Sequence, residues 1–363
     1  MTRFRTNGFG RRQFITTSLA TGLATLAAPA LLRAQDTTLK IGTYGGYFQD
    51  SFNKYIYPDF SAETGIAVES IAEPTGEAWL VQLQQAAKAG QAPADVSMMA
   101  QVARIRGEVA ELWAPLDPAN MPNMANLPAH FVHNYGDGRF YGAGAVSWYI
   151  SLVTNTDVYP EAPSSWTALW DSANTDRLGL LALASNSFLL EITATCYFGG
   201  TDILMTDDGV LQVMAKLAEL KPNVRLWYRD EGQFQQALET GEVPMGQYYH
   251  DVTGLAAANG KPVRSTFPKE GAVLDSGSWV VSSASSQIAA AEVFINYMSR
   301  PEIQAKLSRN VGTAPTVDHK LTDLSAAEFA AVASDIAPIL PFYPLYVERG
   351  DWVGQKWSEL ITG

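Results

Sequence analysis

Tyrosines, carboxylates and small polar residues at the ends of apolar runs are where this chain could do chemistry. Tyr44-Gly45-Gly46-Tyr47 closes the alternating run Thr38–Tyr44, and Tyr249, His250 and Asp251 close the run from Val243. Asp275 stands just before the run from Gly277, Gln101 follows a third run, and Trp148 lies inside a long apolar stretch. Ser185, Asn186 and Ser187 interrupt the run from Leu178. Aromatic faces can sandwich a ligand or attract a cation, and carboxylates can pair with an ammonium. Gly45 and Gly46 admit a ligand close to the backbone, and a helix starting there offers free N–H groups. The candidate ligand set is therefore Tyr44, Gly45, Gly46, Tyr47, Gln101, Trp148, Ser185, Asn186, Ser187, Tyr249, Asp251 and Asp275.

Catalysis has less to work with. The chain carries no Gly-x-Ser-x-Gly turn, no His-Glu-x-x-His helix and no Gly-x-x-x-x-Gly-Lys-Ser/Thr loop. Of four histidines, His130 and His133 stand three apart in a loop with no cysteine nearby, which suits surface polar residues better than a metal site. The pairs Asp207-Asp208 and Asp230-Glu231 fall at helix starts, where acids favour the helix dipole. A secreted hydrolase or lyase would need a general base, and only His250, Asp251 or Asp275 could serve. No catalytic residue, metal or cofactor is assigned, and the chain is expected not to be an enzyme. The lone Cys196 excludes an intrachain disulfide and reads as a small buried hydrophobe.

The elements that position these residues alternate. Strand patterns at Thr38–Tyr44, Ile66–Ile71 and Ala94–Met99 are separated by helical patterns over 49–63 and 77–90, and a helix over 102–111 follows. That order predicts a parallel, doubly wound sheet. Residues 113–140 read as a surface excursion, and Tyr141–Asn155 as a strand crossing between two lobes. Pro163 to Trp166 opens a helix with a serine cap. Then come a strand over 178–184, helices near 188–198, 206–220 and 231–240, a strand over 243–249 and a helix over 250–259. Strands over 263–268 and 277–282 and helices over 288–298 and 301–309 complete the pattern. The β/α alternation thus occurs twice. It predicts an α/β protein of two lobes facing each other with the carboxyl ends of their strands, the ligand lying in the cleft between.

The start of the chain carries Arg3, Arg5, Arg11, Arg12 and Arg33 and no acid before Asp36. Arg11-Arg12-Gln13-Phe14-Ile15, a weakly apolar run over 19–32 and Ala34 read as a twin-arginine export signal, cleaved near Ala34, over residues 1–34. Export to a periplasm follows. Loss of those five arginines leaves 20 basic against 37 acidic residues, a net charge of −17. Such acidity argues against nucleic-acid partners and anionic lipid surfaces.

The residues also carry a resemblance. Gly241-Glu242-Val243-Pro244-Met245-Gly246, Gly260-Lys261-Pro262-Val263, Pro268-Lys269-Glu270-Gly271-Ala272 and the run Phe294-Ile295-Asn296-Tyr297 before Arg300-Pro301-Glu302 resemble the periplasmic spermidine/putrescine-binding proteins of ABC importers. Pro163-Ser164-Ser165-Trp166, Phe60 to Val68 and Gly312-x-x-Pro315 fit the same pattern. The resemblance implies a type II periplasmic binding fold, with lobe one at 36–147 and 277–316 and lobe two at 148–276 and 317–363. It implies a monomer that captures a polyamine or related amine by hinge closure and delivers it to a permease and its ATPase. In that family aromatic residues box the methylenes and carboxylates hold the ammonium ends. Tyr249 matches a boxing position, whereas Ser185 to Ser187 stand where an acidic pair is expected and Gly277 where an aspartate is. Asp275, Asp251 and Glu191 are the acids left to replace them. A neutral or anionic solute, or ferric ion held by Tyr248 and Tyr249, are the alternatives.

Overall fold

The structure, a computed structural model, describes residues 37–74 and 76–362. The expected export signal and its cleavage point lie outside the described residues. Among the described residues one mixed sheet contains β1 (Thr38–Tyr44), β2 (Ala67–Glu73), β3 (Val96–Ala100), β4 (Val132–Asn134) and β5 (Phe140–Asn155). It continues through β6 (Leu178–Leu181), β7 (Val224–Tyr228), β8 (Met245–Tyr249), β9 (Val263–Thr266) and β10 (Val273–Val281). The spatial order is β2-β1-β3-β10-β5-β8-β6-β7, with β4 and β9 paired to β5. β1 is parallel to β2 and β3, and β6 is parallel to β7 and β8, as two β/α halves require.

The two halves are joined by the long antiparallel pair β5 and β10. β5 pairs with β10 from Gly142 to Ile150, then with β8 and β9 from Ile150 to Asn155. The core changes along the same strand: Val146 and Tyr149 pack with Phe52, Trp279 and Phe294, whereas Ile150 and Leu152 pack with Trp166, Leu189 and Leu217. Ile339 then extends the sheet beside β10, its N–H bonding Ala272 O at 2.9 Å and its carbonyl accepting from Leu274 N at 3.0 Å. The helices Tyr343–Glu348 and Gly350–Thr362 follow, and Tyr346, Val353 and Trp357 join the second core.

Several expected elements differ in detail. The helix expected over 49–63 is two, Tyr47–Tyr55 and Tyr57–Thr64, because Pro58 has no N–H to carry the ladder across Ile56. Ser165 caps as expected by accepting from Thr167 N, but what it caps is a single 3-10 turn, Trp166–Trp170. β7 was not expected; it follows Pro222-Asn223 and forms the sheet edge, where its side chains other than buried Tyr228 are at best partly covered. Ser185 to Ser187 belong to a short helix, Ala184–Ser187, instead of a loop.

The halves are packed tightly at their parallel strands. A Cβ on Gly246 would lie 2.1 Å from the Gly179 carbonyl and 2.7 Å from the Phe234 ring, whereas one on Gly136 would meet nothing within 4 Å. Gly246→Ala is expected to lower the unfolding free energy by about 1–3 kcal/mol, and Gly136→Ala to leave it nearly unchanged, in urea denaturation.

Candidate functional site

The ends of β1 and β8 carry Tyr44 and Tyr249, and the centre of the crossing pair carries Trp148 opposite Asp275. Tyr44 lays its hydroxyl over the floor: a Cβ on Gly277 would be 3.0 Å from that oxygen, a tight approach. The Tyr44 hydroxyl is buried and has no partner among the described residues. Burial pushes its pKa well up, and the nearby charges of Glu73 and Asp275 push it further. Burial also raises Tyr249, helped by Glu231 and, more weakly, by Asp275. One carboxylate, Asp275, thus raises the phenols at the ends of both strands.

Asp275 is itself held. Its Oδ1 accepts from Tyr343 OH at 2.6 Å and from Ser276 N at 2.8 Å. Burial raises its pKa to about 6, against the lowering effect of those two bonds. Behind it, Glu191 is fully buried, accepts from Phe342 N at 3.1 Å and Tyr346 OH at 2.9 Å, and is raised by burial to about 7. Beneath Tyr44, Glu73 is buried against Met98 N at 3.2 Å and raised to about 8 by desolvation. Three carboxyls that protonate above their ordinary range therefore ring the floor and its surroundings.

The expected set divides. Trp148 and Asp275 stand opposite each other, the Tyr44 hydroxyl lies near Gly277 two residues on, and Tyr249 ends β8 opposite Ile150 of the same crossing strand. Gly45 and Gly46 are exposed at the start of helix Tyr47–Tyr55, Gly46 at φ 67°, and that helix has no side-chain cap. Tyr47 is 62% exposed and donates to Val311 O at 3.2 Å, at the rim. Asp251 packs beside Gly312, with Oδ1 buried and without a partner among the described residues. Ser185 donates to Asn186 Oδ1 at 2.7 Å, and Asn186 is exposed.

Two expectations need correction. Gln101 is buried; its amide nitrogen donates to Ser276 O, Ser276 Oγ and Ser278 Oγ, and its oxygen accepts from Arg104 Nε at 2.7 Å. It braces β10, its amide nitrogen fully engaged. Ser187 is fully buried, donating to Ala184 O at 3.2 Å and accepting from Leu189 N at 3.3 Å, so it shapes a turn instead of lining a wall. Conversely, Tyr343, Glu73 and Glu231 were not foreseen. Tyr343 lies 68 residues from the acid it serves, so no local spacing signals it.

Metal chemistry finds no support in the geometry. No group of three or more metal-ligating acids, histidines or cysteines occurs among the described residues. His133 is turned inward onto Ser278 Oγ at 2.7 Å while His130 is exposed. Tyr248 and Tyr249 donate their protons to the Glu231 carbonyl and carboxylate. A hollow of about 440 Å³ bordered by Tyr149 and Leu274 lies on the other face of the crossing strands. None of the expected ligand residues lines it.

With this geometry in view, comparison with known proteins identifies the class. Residues 56–330 match the family described as bacterial extracellular solute-binding protein, and the chain belongs to that family. It is similar to the gamma-aminobutyric acid-binding protein of Pseudomonas aeruginosa, 27% identical over 328 residues that cover 89% of this chain and 87% of that one. It is also similar to spermidine/putrescine-binding periplasmic protein 1 of Haemophilus influenzae, 25% identical over 77% of this chain and 75% of the relative. An ABC transporter substrate-binding protein from Bradyrhizobium japonicum superposes with a TM-score of 0.76 at 22% identity, over 90% of this chain and all of that one. The fold is the two-lobed binding-protein fold, and membership of the family makes the protein a solute-binding protein.

The raised carboxyls give a stability signature. Glu191 binds a proton more tightly folded than unfolded, so its contribution is full at pH 4 and is lost as pH rises through about 7. Between pH 4.5 and 8 the wild type is expected to lose about 3 kcal/mol more unfolding free energy than Glu191→Gln, read by denaturant titration at each pH.

Proposed function

We propose that the protein captures a small amine, a polyamine or a related compound, in the cleft and hands it to a permease driven by its ATPase. The observation that carries this reading is Asp275, a carboxylate on the strand joining the halves, with Trp148 opposite it and its charge felt by the phenols of Tyr44 and Tyr249. A buried carboxylate is costly unless a cation or donors compensate it, and an ammonium supplies both charge and donors. Aromatic faces add cation–π attraction.

The lobes in this reading are 36–147 with 277–316, and 148–276 with the C-terminal helices. The segment 317–333 goes with lobe one, because Val317, Val332 and Ala333 pack in its core. Closure brings Tyr44 and Tyr249 onto the solute, and a solute touching both lobes favours the closed state by its differential contacts. Export by the twin-arginine route to the periplasm and action as a monomer belong to the same reading.

A second reading rests on the relative named for gamma-aminobutyric acid, which aligns with 89% of this chain. In it Asp275 takes the ammonium end of an ω-amino acid, and Asn186 with the uncapped helix start at Gly46 takes the carboxylate.

Isothermal titration with putrescine, spermidine and gamma-aminobutyric acid decides between these readings. Saturable binding of an amine is expected, with Asp275→Asn weakening it at least tenfold. Tight binding of a neutral or anionic solute alone would overturn the amine reading. Because only the ionised carboxylate pairs with an ammonium, and Asp275 titrates near 6, affinity is expected to fall about tenfold between pH 7.5 and 5.0.

A further inference from the structure

Behind the floor a hollow of about 170 Å³ lies beside β10, β4 and the helix Gln101–Val109. Leu274 and Ser276 border it, and by the pleat they share the face of β10 that Asp275 does not. Arg104 and His133 line it, each only 8% exposed. Both lie against Tyr141, the guanidinium carbon 5.8 Å and the imidazole centroid 6.2 Å from the centre of that ring. A chain of bonds fixes which atoms carry protons. Arg104 Nε can only donate, and it donates to Gln101 Oε1 at 2.7 Å, so the other end of that amide is its nitrogen. The Gln101 nitrogen donates to Ser278 Oγ at 2.8 Å, and that hydroxyl meets His133 Nε2 at 2.7 Å. Ser278 Oγ has no other acceptor among the described residues, so its proton goes to Nε2 and the ring hydrogen sits on Nδ1.

Three donors are then left over. Arg104 Nη1 serves Glu108 and Tyr141, whereas Nη2 makes no hydrogen bond with the described residues. His133 Nδ1 has no acceptor among them, and Ser276 Oγ only accepts, from Gln101 at 2.9 Å, so its own proton is uncommitted. No acid is among the described residues that line the hollow. Glu108 is engaged by Arg104 Nη1 and Tyr141, and Asp275, on the other face, has Oδ1 taken by Tyr343 and Ser276 N. Tyr343 also borders the hollow, its proton given to Asp275. A buried arginine with donors beside it and no acid in the lining is a seat for an oxyanion. Phe131, Leu340 and Pro341 complete the wall with Leu274, and such a wall favours an alkyl chain over water. We propose that this hollow is a second binding site, outside the cleft, for a short-chain aliphatic monocarboxylate held by Arg104, His133 and Ser276. It stands independently of the amine reading.

The test is isothermal titration of the purified protein with sodium butyrate, n-butanol and sodium chloride. One butyrate per chain is expected to bind, n-butanol not at all, and chloride at least tenfold more weakly than butyrate. Arg104→Gln is expected to weaken butyrate at least tenfold. Because Arg104 also braces its surroundings, Leu340→Glu is the second variant. Leu340 is 43% exposed, so the fold tolerates an acid there, and that acid repels the ligand to a similar extent. Nitrogen NMR of the imidazoles, assigned with His133→Gln, locates the site. His133 is expected as the Nδ1–H tautomer, and butyrate is expected to shift that nitrogen. Absence of butyrate binding, binding retained in both variants, chloride binding as tightly as butyrate, an Nε2–H tautomer or a His133 ring that butyrate leaves unmoved would each overturn the proposal.

Discussion

Everything in this molecule depends on the antiparallel pairing of β5 with β10. These strands run from one core into the other, and their ladder is what holds two separately packed halves in one register. The pleat then decides the chemistry. Trp148 and Asp275 share one face, whereas Tyr149 and Leu274 share the opposite one. A slip of one residue would turn the carboxylate away from the phenols and bring a leucine in its place. The register shift between Gly277 and Ser278 sits two residues from that acid, where the glycine also makes room for the Tyr44 hydroxyl.

The second constraint is electrostatic. Asp275, Glu191 and Glu73 are all buried enough to resist ionisation, yet among the described residues none is paired with a lysine or arginine. Each is held by neutral donors: tyrosine hydroxyls or backbone amides, 2.6 to 3.2 Å away. A site compensated this way keeps its negative potential available. An arginine partner would have cancelled it, and the one buried arginine nearby, Arg104, is instead tied to Gln101, Tyr141 and Glu108.

Much of the fold was legible because periodicity survives in long elements. The twofold β/α alternation, the crossing strand and the strand-end aromatics Tyr44 and Tyr249 were all visible as local patterns. Asp275 was legible too, since an acid beside a Gly-Ser strand start is conspicuous. What escaped was of two kinds. Short or edge elements such as Val224–Tyr228 carry too few residues for a period to stand out from the loops beside them. Partners supplied from far along the chain leave no spacing at all: Tyr343 for Asp275, Tyr346 for Glu191, and the β10 serines that engage Gln101. Ser187 and Gln101 were misassigned for one reason. A polar residue at a strand end can face a ligand or satisfy its own backbone, and only the fold distinguishes the two.

The segment from Ile339 to Tyr346 supplies the hydroxyls that hold both Asp275 and Glu191, the latter from 155 residues away. The floor is therefore completed by a segment distant in sequence from both acids. A change anywhere in that segment reaches the two carboxyls at once, so the acid on the crossing strand and the acid in the second core answer to one strap of chain.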